Sequence, residues 1–144
     1  MKACGFNGIS VCYFMFPERY YEVADEEGIL IWQKYPLWLG YPGARRPKNA
    51  ADREALVAEY AEMFRRDRRH PSVVLRTLSS EDPAADRELV RTLGELCHSM
   101  IPGSLVQGNF SDLKQKVADF HDAHLEGELG ELLKTVSSTM EKGR

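Results

Sequence analysis

The chain has 144 residues, 43% of them apolar and 28% charged, with a formal net charge of −3. That is the composition of one soluble globular domain, residues 1–144, with an apolar core of its own. The charge balance excludes a dominant nucleic-acid role, and no apolar stretch is long enough to span a membrane. Cys4, Cys12 and Cys97 are an odd set without metal-like spacing, so they are expected as reduced thiols in or near the core. Met1-Lys2-Ala3-Cys4-Gly5 leads straight into a strand-like run with no signal-peptide pattern, from which a cytoplasmic chain is expected.

In chain order, Phe6 to Phe14 is apolar and β-prone between Gly5 and Pro17, and reads as a buried strand. Pro17 suits the first turn of a helix on which Tyr20, Val23 and Ala24 share a face, with Gly28 as its stop. Ile29 to Trp32 is a second strand. The segment from Tyr35 to Asn49, rich in proline, glycine and aromatics, is a long loop of the kind that carries function. Asn49 caps the next helix, whose stripe is Leu56, Tyr60, Met63 and Phe64 and which ends near Arg69, ahead of His70-Pro71.

Ser72 to Thr77 is a third strand, and Asp82-Pro83 opens a third helix in cap-then-proline order. Leu89, Val90, Leu93, Leu96, Cys97 and Met100 form its apolar face. Ser104 to Gln107 is a fourth strand, Val117 to His121 a candidate fifth, and Leu129, Leu132, Leu133, Val136 and Met140 mark a terminal helix over 127–141.

Strands alternating with helices at this spacing imply a parallel α/β sheet, either open or part of a barrel. Tyr13-Phe14-Met15-Phe16 stands where a dinucleotide fold has its glycine-rich turn, and no other cofactor motif occurs. In a parallel sheet the C-terminal strand ends gather on one edge, here carrying Tyr13, Gln33 with Lys34, Glu81, Asn109, and the pair His121 and His124. With Trp38 and Tyr41 in the long loop, this polar set flanked by aromatics suits a polyhydroxylated ligand. A zinc site is not expected, because the two histidines lack a third ligand. The cations from Arg65 to His70 complement a helix C-terminus and do not require a nucleic-acid partner. Taken alone, Glu81 also fits an ordinary surface acid capping the Pro83 helix.

Gly5-Phe6-Asn7, Tyr21 and Asp25-Glu26 ahead of Gly28-Ile29-Leu30-Ile31-Trp32, Pro36-Leu37-Trp38, Arg66-Asp67-Arg68-Arg69-His70-Pro71-Ser72-Val73 followed by Glu81, and Asp119-Phe120-His121-Asp122-Ala123-His124 together resemble the catalytic barrel of glycoside hydrolase family 2. The family includes β-galactosidases, β-glucuronidases and β-mannosidases. The resemblance implies a partial (β/α)n barrel of about four to five parallel strands over 5–124. It makes Glu81 the general acid/base of a retaining glycosidase, protonating the leaving oxygen and then activating water. Tyr13, Gln33, Trp38, Ser80, Asn109, His121 and His124 become sugar-binding candidates, with a β-glycoside as the ligand. Ser80 and Arg76 stand where the family usually has Asn and Trp, and Ser10 and Tyr13 where Arg and His are common.

A complete barrel takes about 250 residues, and the strand carrying the second carboxylate lies beyond this segment. Two functions follow: a glycosidase segment active only in a complete barrel or assembly, or an inactive carbohydrate-binding or assembly module derived from that fold. A half-barrel leaves open sheet edges, so a homo-oligomer or the remainder of a longer chain is expected to cover them.

Overall fold

The computed structural model describes residues 1–37, 47–80, 86–110 and 118–120. A short 3₁₀ turn (Lys2–Cys4) is followed by β1 (Gly8–Cys12), α1 (Glu18–Glu27), β2 (Leu30–Lys34), α2 (Ala50–Asp67), β3 (Val73–Ser80), α3 (Arg87–Met100) and β4 (Leu105–Phe110). The sheet order is β1-β2-β3-β4, and each neighbouring pair is parallel. The α/β alternation expected from the sequence is therefore present, as an arc of parallel strands with helices in the connections.

Local chemistry sets the boundaries. β1 is shorter than the run Phe6 to Phe14 because the backbone is left-handed on both sides, at Gly5 (φ 82°) and at Tyr13 (φ 66°). Phe6 and Phe14 consequently lie outside the strand and are exposed. Pro17 precedes α1, and Gly28 closes it in the left-handed conformation, its N–H donating to the Ala24 carbonyl. The buried residues of α1 are Tyr21 and Ala24, whereas Tyr20 and Val23 are exposed. Asn49 caps α2 as expected, accepting the Asp52 N–H at 2.9 Å. α3 opens at Arg87 behind Asp86, whose carboxylate accepts the Leu89 N–H at 3.1 Å. The expected opening at Asp82-Pro83 lies outside the described residues, as do residues 127–141, where a terminal helix is expected.

β3 and β4 both run past their expected ends, to Ser80 and Phe110. Their last turns of pleat carry polar residues that pair across the sheet, which composition alone disguises as loop. The candidate fifth strand is corrected: Ala118 makes an isolated antiparallel bridge to Gln107, and no parallel strand follows β4 among the described residues. Asp119 completes that contact, its N–H donating to the Val106 carbonyl at 2.8 Å and its carboxylate accepting the Val106 N–H at 2.8 Å.

The core lies between sheet and helices. Tyr35, Tyr60, Phe64, Leu78, Leu93, Cys97 and Val106 form one buried cluster, and Val11, Tyr21, Ala24, Ile31 and Val73 the other. Burial pushes the Cys97 thiol up to about 11, so it is an inert core group. Cys4, expected near the core, is exposed.

Within the first cluster lies a charge pair. Arg76 on β3 reaches Asp67 at the end of α2 with Nη2 at 3.2 Å, and its Nη1 donates to Ser104 at 2.8 Å and to the Val73 carbonyl at 3.1 Å. Tyr35 donates to the second Asp67 oxygen. Burial raises the Asp67 carboxyl above its usual range in spite of the Arg76 charge, while that carboxylate keeps the guanidinium charged.

The other end of the same segment binds α1. His70 places Nδ1 2.6 Å from Asp25 and Nε2 3.2 Å from Glu18, and its ring stacks on Tyr21 at 5.2 Å. Glu18 also accepts from Arg66 at 3.0 Å and Arg69 at 2.9 Å, and Asp25 accepts the Ser72 N–H at 2.9 Å. The run from Arg66 to Ser72 thus works as a clamp at the N-terminal end of β3. Burial opposes ionisation of Asp25, but its bonds from Ser72 and His70 prevail and hold the carboxyl below its ordinary range; the Arg66 bond does the same for Glu18.

Two predictions follow from these contacts. Asp67→Ala strands a buried guanidinium and is expected to cost about 3–5 kcal/mol in urea unfolding, whereas the double variant Asp67→Asn with Arg76→Met recovers most of that loss. Because Asp25 and Glu18 titrate below their unfolded values, their contribution is intact above about pH 5 and disappears as pH falls through the folded values. The unfolding free energy measured between about pH 5 and 2 is expected to fall with pH in the wild type and to fall less in Asp25→Asn.

Candidate active site

The sheet has a second face, turned away from the helices, and its chemistry changes along the strands. Leu30 and Leu105, near the strand starts, are each 46% exposed. Further along, Trp32 is half-buried, and Lys34, Thr77, Ser79, Gln107 and Asn109 are buried. These residues alternate with Val106 and Leu78 of the helix-facing core, as the two-residue period of a strand demands.

The polar groups form chains across the strands. Trp32 Nε1 donates to Thr77 Oγ1 at 2.8 Å, and Thr77 donates onward to Gln107 Oε1 at 2.9 Å. One level nearer the C-terminal edge, the Ser79 hydroxyl lies 3.1 Å from both the Gly108 carbonyl and Asn109 Oδ1. The Lys34 ammonium sits 4.3 Å from the centre of the Trp32 ring, a cation–π contact on a buried surface. Phe120 meets the same indole edge-on, with ring centres 5.6 Å apart. Trp32 stands on this face and organises it.

The expected site residues divide between the two faces. Asn109 belongs to the polar chains. Tyr13 is half-buried immediately after β1, with its N–H on the Lys34 carbonyl at 3.1 Å. A positive φ at a tyrosine is uncommon and marks a constrained turn at the strand end. Ser80 is fully buried, its N–H donates to the Leu37 carbonyl at 3.1 Å, and its hydroxyl has no hydrogen-bond partner among the described residues.

Gln33 is not brought to Asn109. Its Oε1 accepts from Tyr21 at 2.6 Å and its Nε2 donates to the Phe14 carbonyl at 2.9 Å, so the side chain faces α1. Parity decides this: Gln33 sits between Trp32 and Lys34 and must take the opposite face. Glu81, Trp38, His121 and His124 lie outside the described residues.

Sequence reading missed Thr77, Ser79 and Gln107. The available signal was alternation, since Thr77-Leu78-Ser79 and Gln107-Gly108-Asn109 repeat polar side chains two residues apart inside strands. A cavity of 690 Å³ is lined by Leu37, Pro47, Lys48, Asp52, Leu56 and Glu59, at the helix side of the sheet and apart from these chains. No helix among the described residues is long and apolar enough to cross a membrane.

No protein-family model matches the sequence, and no curated protein matches it. Solved structures do. The β-glucuronidase of Parabacteroides merdae is 18% identical, with a TM-score of 0.80 over 98% of this chain and 19% of that one. The β-D-glucuronidase of Dictyoglomus thermophilum is 21% identical, with a TM-score of 0.67 over 84% of this chain and 23% of that one. The β-D-mannosidase of the same organism is 19% identical, with a TM-score of 0.67 over 85% of this chain and 17% of that one. The chain spans about a fifth of the length of these proteins. At these identities the likeness is one of fold: the four parallel strands and their helices follow a stretch of the barrel-like α/β fold of such glycosidases.

Proposed function

We propose that the chain is a segment of a glycoside hydrolase family 2-type barrel in which Glu81 is the general acid/base, and that β-glycoside hydrolysis requires a complete barrel. The observation that carries the reading is the superposition on a β-glucuronidase over 98% of the chain, with the interior face rich in amides and hydroxyls near the C-terminal edge. Glu81 directly follows Ser80, the last residue of β3. Position and residue type together suit a carboxyl that alternates between acid and base.

Asn109, on the interior face, fits a hydrogen-bonding role toward sugar hydroxyls, and Tyr13 fits one at the rim. Trp38, His121 and His124 enter the proposal through the family resemblance, and Ser80 occupies the position beside the acid/base. Gln33 acts indirectly, by fixing Tyr21 and the Phe14 turn behind the site. Retaining hydrolysis needs a second carboxyl about 5 Å from the first, which the family resemblance puts on a later strand than the four described here.

A specific observation favours the second reading, a carbohydrate-binding or assembly module. The interior polar groups bond one another from Trp32 through Thr77 to Gln107, an arrangement that a stable surface needs and catalysis does not. Aryl β-glucuronides, β-mannosides and β-galactosides discriminate the two. The chain alone is expected to give no turnover above that of Glu81→Gln. Hydrolysis that Glu81→Gln abolishes would place complete chemistry within these 144 residues and overturn the need for further strands.

A further inference from the structure

Residues 118–120 take hold of the sheet at three points on two strands. Ala118 bridges Gln107, Asp119 bonds Val106, and Phe120 meets the Trp32 indole edge-on with ring centres 5.6 Å apart. The first and last of these contacts fall at the two ends of the chain of hydrogen bonds that runs from Trp32 through Thr77 to Gln107.

Asp119 is the anchor of the three. Its N–H donates to the Val106 carbonyl, and its carboxylate accepts the Val106 N–H, each at 2.8 Å. A neighbouring parallel strand fills those two places with backbone groups of two different residues, whereas here one residue fills both, its side chain standing in for a carbonyl. The Val106 side chain is fully buried in the helix-facing core, so the point of attachment is rigid. The same carboxylate oxygen lies 3.3 Å from His98 Nε2 on α3, a second hold from the helix layer.

We propose that Asp119 is a positioning residue for the polar face of the sheet: by gripping Val106 it seats Phe120 against Trp32 and so fixes the indole on which the Thr77 and Lys34 contacts depend. An indole nitrogen can only donate, so the ring reaches the Thr77 hydroxyl in one orientation, and the edge-on phenyl ring resists its rotation. If the indole turns, the Lys34 ammonium loses its seat over the ring and Thr77 loses its donor. A carboxylate on the rim of the sheet thus sets the geometry of groups on a strand two places away. The use of this face toward a sugar rests on the glycosidase reading, but the coupling from Asp119 to Trp32 does not.

Hydrogen exchange followed by NMR tests it in a Trp38→Phe background, where Trp32 gives the one indole signal. In Asp119→Ala the Trp32 indole N–H and the Val106 amide are expected to exchange at least about tenfold faster, while the Ile31 and Val90 amides of the helix-facing side keep their rates. Asp119→Asn retains an oxygen for the Val106 N–H and is expected to keep both rates near the starting values. Phe120→Ala is expected to release the indole alone and leave the Val106 amide protected, which orders the coupling from Asp119 through Phe120. Should Asp119→Ala fail to fold by circular dichroism, the indole rate in Phe120→Ala decides. An indole rate unchanged in either folded variant, Ile31 and Val90 amides accelerated as much as the indole, or an Asp119→Asn chain that exchanges like Asp119→Ala overturns the proposal. The readout contains no sugar, so it stands or falls separately from the glycosidase reading.

Discussion

The arrangement depends on a charge placed where a parallel α/β core has none to spare. Arg76 and Asp67 are both buried, and Tyr35 and Ser104 bond to one or the other of them. Four pieces of chain, the end of β2, the end of α2, β3 and the entry to β4, converge on this pair. Relative to apolar residues of the same volume, such a pair adds little or no net stability, because both ions lose water. What it contributes is discrimination. Any other pairing of α2 against the sheet leaves a guanidinium or a carboxylate buried alone. The partner of Arg76 lies one connection earlier in the chain, at the end of α2.

From that anchor the two faces of the sheet take separate roles. The helix-facing side holds Tyr60, Phe64, Leu78 and Val106 in a dry core, and the opposite side holds linked amides and hydroxyls. The residues that carry the family resemblance sit mostly on the first. Asp25, His70 and Ser72 bond one another or neighbouring groups at the start of β3, while Tyr21 and Asp67 bond Gln33, Tyr35 and Arg76 on the helix side of the sheet. They identify the fold by building it.

This division explains what could be read from the residues alone. Caps and stops were readable because their physics is local: Asn49 accepts its own Asp52 N–H, and Gly28 takes the left-handed turn. The α2 stripe through Tyr60 and Phe64 was readable because helical periodicity survives any tertiary context. The face of α1 was not. Tyr20 and Tyr21 are chemically alike, and only the buried amide of Gln33, which receives the Tyr21 hydroxyl, selects between them. Strand ends were lost for a related reason, since Ser79 and Asn109 resemble loop residues until each is seen to satisfy the other. Gln33 passed for a site residue because it lies near a strand end, and only alternation along β2 reveals that it faces the wrong way.

Trp32 sits at the crossing of the interior contacts, with an ammonium above its ring, a hydroxyl on its indole nitrogen and Phe120 at its edge. Its excited-state dipole therefore senses the hydration and charge around Lys34, Thr77 and Phe120. The chain holds two tryptophans, Trp32 and Trp38, so Trp38→Phe isolates the emission of this indole. The protein thus carries a native optical gauge of the hydration of the sheet face on which Trp32 stands.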